Sequence, residues 1–385
     1  MMKNFYINAL NWKEDGYIYN GPINKKTRGN PLIRKGFFNM KCNIRNNIIN
    51  FNGIYNNYFK SWKYYKHNKD IINNHKDLIK ELSPGKTVFI LNRNQDSPNL
   101  FHGGSEFISA FSLMHLLNIK PENIQILFLE SMKFNNDPFF NLYKNIISRG
   151  GEPIHIRDLN KNIKYHISNA VNIPINWDSP CFIVCGIPKC KKKTKTYHYL
   201  YNSVFKYMNI PNFIDNNNYD KEIFYYPKSF NNRKLSNYTK YLTIQWRKPW
   251  PRNRKGQFRL LGNGPEIVEK LDTIIKKNIL IRLVDTANLS IEKQISIMQK
   301  TNYFLGIHGA GLFLSIFLQK NSIVHEIKLK KVMNNLQIIG ILSGHKVYSD
   351  IIKGKMVNIN TQQTFFFDKD DLADKVLKHI NENHL

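Results

Sequence analysis

The sequence predicts an α/β protein built from two Rossmann-like domains that face each other across a cleft. The chain of 385 residues exceeds the usual size of a single domain, and its 42% hydrophobic residues are enough for two cores. Short apolar runs alternate with stretches of helical spacing in two separate series, which is typical of parallel sheets with crossover helices. We expect an irregular N-terminal wrap over residues 1–75, a first domain over 76–235 with a basic insertion or linker near 189–235, and a second domain over 236–385.

The first series of elements begins after a turn signal at Ser83, Pro84 and Gly85. Its β-branched and apolar runs predict buried strands, and the spacing of the apolar residues between them predicts helices. The predicted strands cover 86–91, 124–129 and 181–185, and the predicted helices cover about 106–117 and 139–148. This alternation favours a parallel sheet in the first domain.

The second series is longer and has clearer helix ends. Pro265 occupies the favoured first position of one predicted helix, and Ser290 and Asp368 are the predicted N-caps of two others. The predicted strands cover 241–245, 279–284, 302–306, 322–327 and 346–348, and the helices cover about 264–277, 290–300, 334–342 and 365–385, the last with its cap at Asp368. This pattern predicts a doubly wound sheet, in which ligands bind beyond the carboxyl ends of the strands.

One turn in the second series carries the strongest chemical signal. After the predicted strand 302–306 come His308, Gly309, Ala310 and Gly311, followed by an apolar helix. The two glycines let the backbone approach a ligand, and the N-terminus of the helix directs backbone N–H groups at the turn. The turn therefore suits a phosphate or diphosphate, although glycine-rich turns also occur for packing alone.

Polar residues near the ends of neighbouring strands strengthen this interpretation. Arg247 and Asp285 each follow a predicted strand, and Glu326 lies near the end of another. A guanidinium beside a glycine turn supplies a diphosphate with a second set of donors, and a carboxylate can accept hydrogen bonds from a ribose. A salt bridge or solvent exposure would also explain Arg247 and Glu326. For Asp285 we favour a local helix-capping turn.

In the first domain, His102 and Glu106 are the candidate catalytic pair. They lie four residues apart after the first predicted strand, and within a helical turn they would share one face. An imidazole supported by a carboxylate can take the proton of an attacking hydroxyl group. Capping of the helix by Ser105 and Glu106 is the alternative. Gly103 and Gly104 predict a loop that passes close to another group.

The composition bears on the classes of partner. A net charge of +29 suggests nucleic acid or another anionic partner. However, Asn, Lys, Ile and Tyr are abundant even in predicted core strands, as expected from AT-biased codon usage. Such a bias raises the lysine content of the whole chain, and the high net charge is therefore a weak argument for nucleic-acid binding. No apolar run approaches the length of a membrane span, and the first residues lack the apolar segment of a signal peptide. The sequence therefore predicts no membrane anchor and a cytoplasmic location.

The sequence predicts no metal site. The four cysteines match no common zinc spacing; they are Cys42, Cys181, Cys185 and Cys190. Asp368 and Asp370 formally match the Asp-x-Asp pattern that holds a metal on a nucleotide-sugar, but acidic capping of the last helix explains them better. His325 and Glu326 could form a metal pair, but a histidine on a buried strand is more often a packed core residue.

Taken together, these motifs resemble those of glycosyltransferase family 61. The segment 306–318 is similar to the family's Gly-x-His-Gly-Ala-Gly-Leu signature with its following Phe-Leu. The segment 324–327 resembles the next strand of the family, and the segment 242–247 resembles a strand that ends in a donor-binding arginine. In the first domain, residues 99–102 with Glu106 are similar to the family's Asn-x-x-His stretch and its acidic partner.

The resemblance implies a GT-B fold and an inverting glycosyltransferase. Such an enzyme moves a sugar, here GlcNAc or xylose, from a UDP-sugar to a hydroxyl group of a glycan or protein, with no cofactor and no metal. The implied donor contacts come from Arg247, the turn 308–311 and Glu326, while His102 and Glu106 lie near the acceptor. Members of the family are mostly proteins of the secretory pathway. A non-catalytic nucleotide-sugar or glycan-binding scaffold and a basic nucleic-acid-binding protein are the alternative functions.

Overall fold

The computed structural model shows two compact units in the chain. The first comprises Met1–Cys190 and Thr194–Met208, and the second comprises Lys191–Lys193 and Asn209–Leu385. The structure describes residues 2–8, 44–45, 48–49, 79–91, 99–128, 137–155, 158–160, 164–173, 195–208, 210, 223–232, 238–246, 259–275, 278–287, 289–329, 339–341, 343–359 and 362–385. Arg247, the four cysteines with the strand predicted at 181–185, and residues 334–338 of a predicted helix lie outside these segments.

The first unit is built on a six-stranded sheet that is parallel except at one edge. The strands of this unit are β1 (Met2–Asn8), β2 (Ile44–Arg45), β3 (Ile48–Ile49), β4 (Ile79–Glu81), β5 (Thr87–Leu91), β6 (Ile124–Phe128), β7 (Ile154–His155) and β8 (Lys164–Ile173). The sheet has the order β1-β8-β5-β6-β7, with β4 also paired to β8, and β1 runs antiparallel to β8. The predicted strands that correspond to β5 and β6 are confirmed, and both are buried because their residues are almost all apolar.

The first helix, α1 (Leu100–Leu116), begins earlier than the sequence predicts. The side chain of Asn99 caps it by accepting hydrogen bonds from the backbone N–H groups two and three residues later, at 3.0 and 3.4 Å. Gly103 and Gly104 consequently lie inside the helix and are buried, so the prediction of a loop at these glycines is wrong. The other helices that the structure describes in this unit are the 3-10 helix Pro121–Asn123, α2 (Phe140–Leu142), which continues as the π-helix Tyr143–Ile147, and α3 (Lys195–Tyr207).

The second unit contains a main sheet with the strand order of doubly wound folds. Its strands are β9 (Phe224–Tyr225), β10 (Lys240–Gln245), β11 (Arg259–Leu261), β12 (Ile279–Val284), β13 (Tyr303–Ile307), β14 (Ile323–Lys328), β15 (Lys346–Ile351), β16 (Gly354–Ile359) and β17 (Gln362–Phe367). The main sheet has the order β15-β14-β13-β10-β12-β9, and its strands are parallel except for β9. Numbered along the chain, the parallel strands follow the spatial order 2-1-3-4-5, so the direction of winding reverses between β10 and β13.

The strands predicted for the second domain are confirmed, but β11 and the hairpin of β16 and β17 were not predicted. Residues 365–367 belong to β17, so the start predicted for the last helix is wrong, and that helix begins only after its cap at Asp368. A separate three-stranded sheet has the order β11-β17-β16. Every residue of β16 is exposed, so no alternation of apolar and polar residues marks this strand in the sequence.

Two helices of the second unit begin directly after their predicted caps, Ser290 and Asp368. The described helices of this unit are the 3-10 helix Lys228–Asn232, α4 (Gly264–Ile274), α5 (Ile291–Gln299), the 3-10 helix Ala310–Phe317 and α6 (Lys369–Glu382), and residues 339–341 are also helical. The side chain of Ser290 caps α5, and that of Asp368 caps α6 by accepting from two backbone N–H groups at 2.9 and 3.2 Å. Asp368 and Asp370 therefore form a capped helix start, as predicted. In the described part of the chain, no helix combines the length and apolar character needed to cross a bilayer.

A fully buried arginine ties the centre of the main sheet to α5. Arg282 on β12 donates from Nε to Thr243 Oγ1 on β10 at 2.9 Å, and from Nη2 to the Ile297 carbonyl of α5 at 2.9 Å. Its guanidinium also lies 4.7 Å from the ring centroid of Tyr241. These contacts fix β10 and β12, the two strands on one side of the winding reversal.

Candidate functional site

The glycine turn lies at the winding reversal of the main sheet. β13 ends at Ile307, and the turn 308–311 follows it directly. The neighbouring parallel strand β10 ends at Gln245, with Ile244 in register with Leu305. In doubly wound sheets this position, beyond the carboxyl ends of two strands that wind in opposite directions, forms a crevice for ligands. The structure thus places the predicted turn where the fold provides a binding site.

The turn and Glu326 are joined by a hydrogen bond. The β13–β14 register pairs Gly306 with Glu326, and the backbone N–H of His308 donates to the Ile327 carbonyl at 3.0 Å, which extends the pairing by one residue. His308 Nδ1 donates to Glu326 Oε1. Because an ionised carboxylate can only accept, this bond places a proton on Nδ1.

Glu326 is a buried carboxylate with three polar partners. Its side chain is 1% exposed, and besides His308 it contacts Lys328 Nζ at 3.1 Å and accepts from Ser349 Oγ at 2.8 Å. Burial alone would raise the pKa of Glu326, but the hydrogen bond and charge of His308, the hydrogen bond from Ser349 and the charge of Lys328 lower it to about 2. Glu326 is therefore ionised at neutral pH.

Sequence reasoning missed Lys328 and Ser349, although one signal was present. Residues two apart on a strand point to the same face, so Lys328 had to lie on the face of Glu326. Ser349 is in register with Glu326 on the parallel neighbour β15, and no feature of the sequence reports that register.

The glycine at the end of the turn lies against a neighbouring side chain. A Cβ atom on Gly311 would lie 1.9 Å from Nε2 of Gln245, the last residue of β10. Gln245 is 4% exposed, and its Nε2 donates to Thr286 Oγ1 at 3.3 Å. Gly309 has an extended backbone (φ 163°, ψ 173°) that other residues also adopt. The close approach predicted for this turn is thus, at Gly311, an approach to Gln245.

The helix after the turn is a 3-10 helix, Ala310–Phe317, and seven of its residues, 311–317, are buried. No side chain among the described residues caps its N-terminus. Backbone N–H groups at the start of a helix lack partners within the helix and attract anions. The His308 ring and this helix start therefore supply two kinds of donor within one turn.

Asp285 has the local role that the sequence favours. Its Oδ1 accepts a hydrogen bond from the backbone N–H of Ala287 at 3.0 Å, which closes a turn directly after β12. Asp285 is buried, and Ser290 caps the next helix a few residues later. The preference for a turn that leads into a helix is confirmed.

His102 and Glu106 lie in the first two turns of α1. They are four residues apart on one helical face, as predicted. Glu106 is 1% exposed, whereas His102 is partly exposed. The alternative of capping by Ser105 and Glu106 is wrong, because Asn99 is the cap and Ser105 Oγ donates to the Phe101 carbonyl at 2.6 Å.

Arg247 lies outside the described residues. The last described residue of this segment is Trp246, whose backbone N–H donates to the Val284 carbonyl at 2.7 Å and so continues the pairing of β10 with β12. Arg247 therefore follows, in the sequence, the end of the strand that borders the turn.

The fold and the site define a class, namely doubly wound α/β proteins with a candidate ligand site at the winding reversal. Comparison with known families identifies the family within this class. The family model described as Glycosyltransferase 61 matches residues 61–325. This range covers more than half of the chain of 385 residues, and the protein belongs to glycosyltransferase family 61. The family identified from the motifs is thereby confirmed, and membership supports a glycosyltransferase with a sugar donor and a glycan acceptor. No curated protein matches the chain significantly.

Proposed function

We propose that this protein is an inverting glycosyltransferase that moves GlcNAc or xylose from a UDP-sugar to a hydroxyl group of a glycan or protein. The observation that carries the proposal is the His308–Glu326 pair beside the glycine turn, at the winding reversal of the second unit. Family membership supports sugar transfer, and the chemistry of this site supports an anionic leaving group.

His308 and the turn hold the diphosphate in this proposal. The imidazole, with Nδ1 bonded to an ionised carboxylate, presents Nε2 as a donor when it carries a second proton. The backbone N–H groups of the 3-10 helix start and the guanidinium of Arg247 add further donors to the same anion. These donors, rather than a metal or another cofactor, neutralise the charge that develops on the leaving group.

Glu326 acts through His308. Oε1 accepts from His308, and Oε2 already contacts Lys328 and Ser349, so its hydrogen-bonding capacity is largely used within the protein. We therefore assign Glu326 the role of orienting the His308 ring, and not that of a direct ribose contact.

The acceptor side of the proposal rests on His102 and Glu106. The acceptor hydroxyl oxygen attacks the anomeric carbon while the bond from that carbon to the diphosphate oxygen breaks, and UDP leaves. His102 takes the hydroxyl proton, and the carboxylate of Glu106 favours the resulting imidazolium. A single in-line displacement of this kind inverts the anomeric centre.

The donor class is tested by thermal shift of the purified protein with UDP-, GDP- and CMP-sugars. We expect stabilisation by UDP-sugars alone, because a ligand that binds only the folded state raises its melting temperature. Equal stabilisation by all three classes, or by none, would contradict a UDP-sugar site.

The role of the His308–Glu326 pair is tested with Glu326→Gln, which keeps the size of the side chain but removes its charge. We expect UDP release from a UDP-sugar to fall by about 100-fold or more, as for the loss of one preorganised donor in an active site. The control is Glu266→Gln, an exposed glutamate in the first turn of α4. Equal turnover in the two variants would refute the assignment.

Arg247→Ala tests the predicted donor contact that follows β10. Transfer should be abolished while far-ultraviolet circular dichroism stays unchanged, because the guanidinium would bind the diphosphate and not the protein. Near-normal turnover in this variant would remove Arg247 from the donor site.

A further inference from the structure

A second polar cluster lies on the face of β14 opposite to Glu326. It contains His325 from β14, Asp350 from β15 and His379 from α6. Asp350 Oδ2 lies 2.9 Å from His325 Nε2 and 2.7 Å from His379 Nε2, and the three potential ligand atoms all lie within 4.8 Å of one another. The interpretation of His325 as a packed core residue is thus incomplete, since the residue is buried but its ring takes part in a polar cluster.

The second ring nitrogen of each histidine also faces an oxygen atom. His325 Nδ1 lies 2.8 Å from the Tyr303 hydroxyl, and His379 Nδ1 lies 3.7 Å from Glu382 Oε2. Histidines that bind a metal through one nitrogen almost always direct the other at a carboxylate, a carbonyl or a similar acceptor, which fixes the tautomer and the ring orientation. Both histidines therefore direct their Nε2 atoms at Asp350 Oδ2.

The plane of one of these rings is fixed by stacking. The ring of Tyr348 lies parallel to that of His379, with 3.6 Å between centroids and 18° between planes. The His325 and His379 rings are nearly perpendicular, at 85°, with 4.9 Å between their centroids. The two Nε2 atoms thus approach Asp350 from different directions, as ligands around one ion do.

The charge and the access of the cluster suit a divalent cation. The histidine side chains are 0% and 8% exposed, while that of Asp350 is 28% exposed and leaves a path to solvent. The carboxylate of Asp350 supplies a negative charge. Lys375 on α6 is engaged elsewhere, because its Nζ donates to the Ile351 carbonyl at 2.7 Å and pairs with Asp371 at 3.1 Å.

We propose that His325, Asp350 and His379 bind one divalent transition-metal ion of the zinc type. Two imidazoles and one carboxylate are a common ligand set for Zn²⁺, with water in the fourth position, at about 2.0–2.2 Å from the ion. The ion fastens the C-terminal helix α6 to β14 and β15.

The bound ion would be separate from the proposed transfer site. Successive residues of a strand point to opposite faces, so His325 and Glu326 serve different sides of β14. The inference consequently depends only on the geometry of the second unit, and a failure of the proposed sugar transfer would leave it standing.

Zinc binding is tested with the full chain after removal of metal by a chelator and dialysis. Calorimetric titration with ZnCl₂ should show one ion per chain, and plasma mass spectrometry should find zinc retained after gel filtration. The ligand variants Asp350→Asn and His379→Ala should weaken binding by about 100-fold or more, and Tyr303→Phe, which removes only the outer acceptor, by about tenfold. The control is His384→Ala, since His384 is exposed just beyond α6.

Two results would overturn the proposal. One is a wild-type protein that shows no saturable zinc binding. The other is binding of equal strength in Asp350→Asn and the wild type, which would mean that exposed histidines bind the ion elsewhere. Asp350→Asn preserves the size of the side chain and one oxygen acceptor, and circular dichroism of the metal-free variants checks that each is folded. If His379→Ala does not fold, Asp350→Asn and Tyr303→Phe still decide the question.

Discussion

The contact of Gly311 with Gln245 gives the glycine of this turn a second explanation, packing against a neighbouring side chain, besides the approach of a ligand. A glycine in a ligand-binding turn is usually explained by the ligand, but here a neighbouring side chain already occupies the space where a Cβ atom would lie. Gln245 is fixed in turn by its hydrogen bond to Thr286. The turn therefore keeps its shape through its own packing.

We predict that Gly311→Ala lowers the free energy of unfolding by about 1–3 kcal/mol, the usual effect of overpacking a filled core. The reason is the distance of 1.9 Å between the new Cβ and Gln245 Nε2. Urea denaturation followed by circular dichroism measures the change. In the double variant Gln245→Ala, Gly311→Ala the penalty of the alanine at 311 should largely disappear. A single variant as stable as the wild type would show that Gln245 moves aside freely.

His345, which precedes β15, is a source of acid sensitivity. It is 8% exposed, and burial lowers its pKa from 6.5 to about 4, while a hydrogen bond with the backbone of Ser315 opposes the shift only in part. Below pH 6.5 the unfolded chain therefore binds a proton that the folded chain excludes until about pH 4.

We predict that, as the pH falls from 6.5 to 5, His345 lowers the free energy of unfolding by about 2 kcal/mol. The slope is about 1.4 kcal/mol for each pH unit, because the unfolded chain binds one more proton than the folded chain in this range. At higher pH both states carry the neutral ring, and the group has no effect on stability. Urea denaturation of the wild type and of His345→Gln over this range measures the difference. The slope of stability against pH should be shallower in the variant, and equal slopes would contradict the prediction.

At the scale of elements, Arg282 on β12 joins this strand to β10 and to α5. The sequence predicts these three elements but not their connection. Arg282 is fully buried and bonds to Thr243, Ile297 and Thr301 on its neighbours. Removing such a side chain leaves both a cavity and buried acceptors without a donor.

We predict that Arg282→Ala lowers the free energy of unfolding by about 3–5 kcal/mol, since it combines both costs. Arg282→Met should be milder, because methionine fills much of the volume and Thr301 Oγ1 still donates to the Ile297 carbonyl at 2.8 Å. Urea denaturation compares the two variants. A larger loss in the methionine variant than in the alanine variant would refute this explanation.

The strands that are easiest to predict from the sequence are the fully buried ones. Strands such as β12 and β14 are buried on both faces, so their residues form apolar runs that stand out from the surroundings. The exposed strand β16 lacks such a run. The start of α1 was misplaced because two glycines suggest a loop, whereas the cap at Asn99 and burial of the helix outweigh their low helix propensity.

At the scale of the whole molecule, the contacts of the candidate site depend on strand register. His308 and Glu326 are 18 residues apart, and Ser349 is a further 23 residues away, yet all three meet through the pairing of β13, β14 and β15. The sequence places each residue near a strand end, and this was enough to select His308 and Glu326. It does not give the register, and so the partners of Glu326 became visible only in the folded chain.

The net charge of +29 is also a property of the whole molecule, and we predict that it does not reflect a nucleic-acid site. Filter binding with duplex DNA should show no specific retention at about 150 mM salt, where exposed charges are screened beyond about 8 Å. Tight retention that falls steeply with added salt would contradict the prediction. The same assay with a UDP-sugar as competitor would then show whether the two ligands share a site.

The alternation of faces along β14 limits how this part of the gene can change. Loss or gain of a single codon within the strand would exchange the two sides, bringing the glutamate toward the helix and the histidine toward the glycine turn. One small deletion would thus disrupt both the contact of Glu326 with His308 and the cluster of His325 with Asp350 and His379. Among descendants of this gene we expect point substitutions in β14, or length changes confined to the loops around it, and not single-residue insertions or deletions within it.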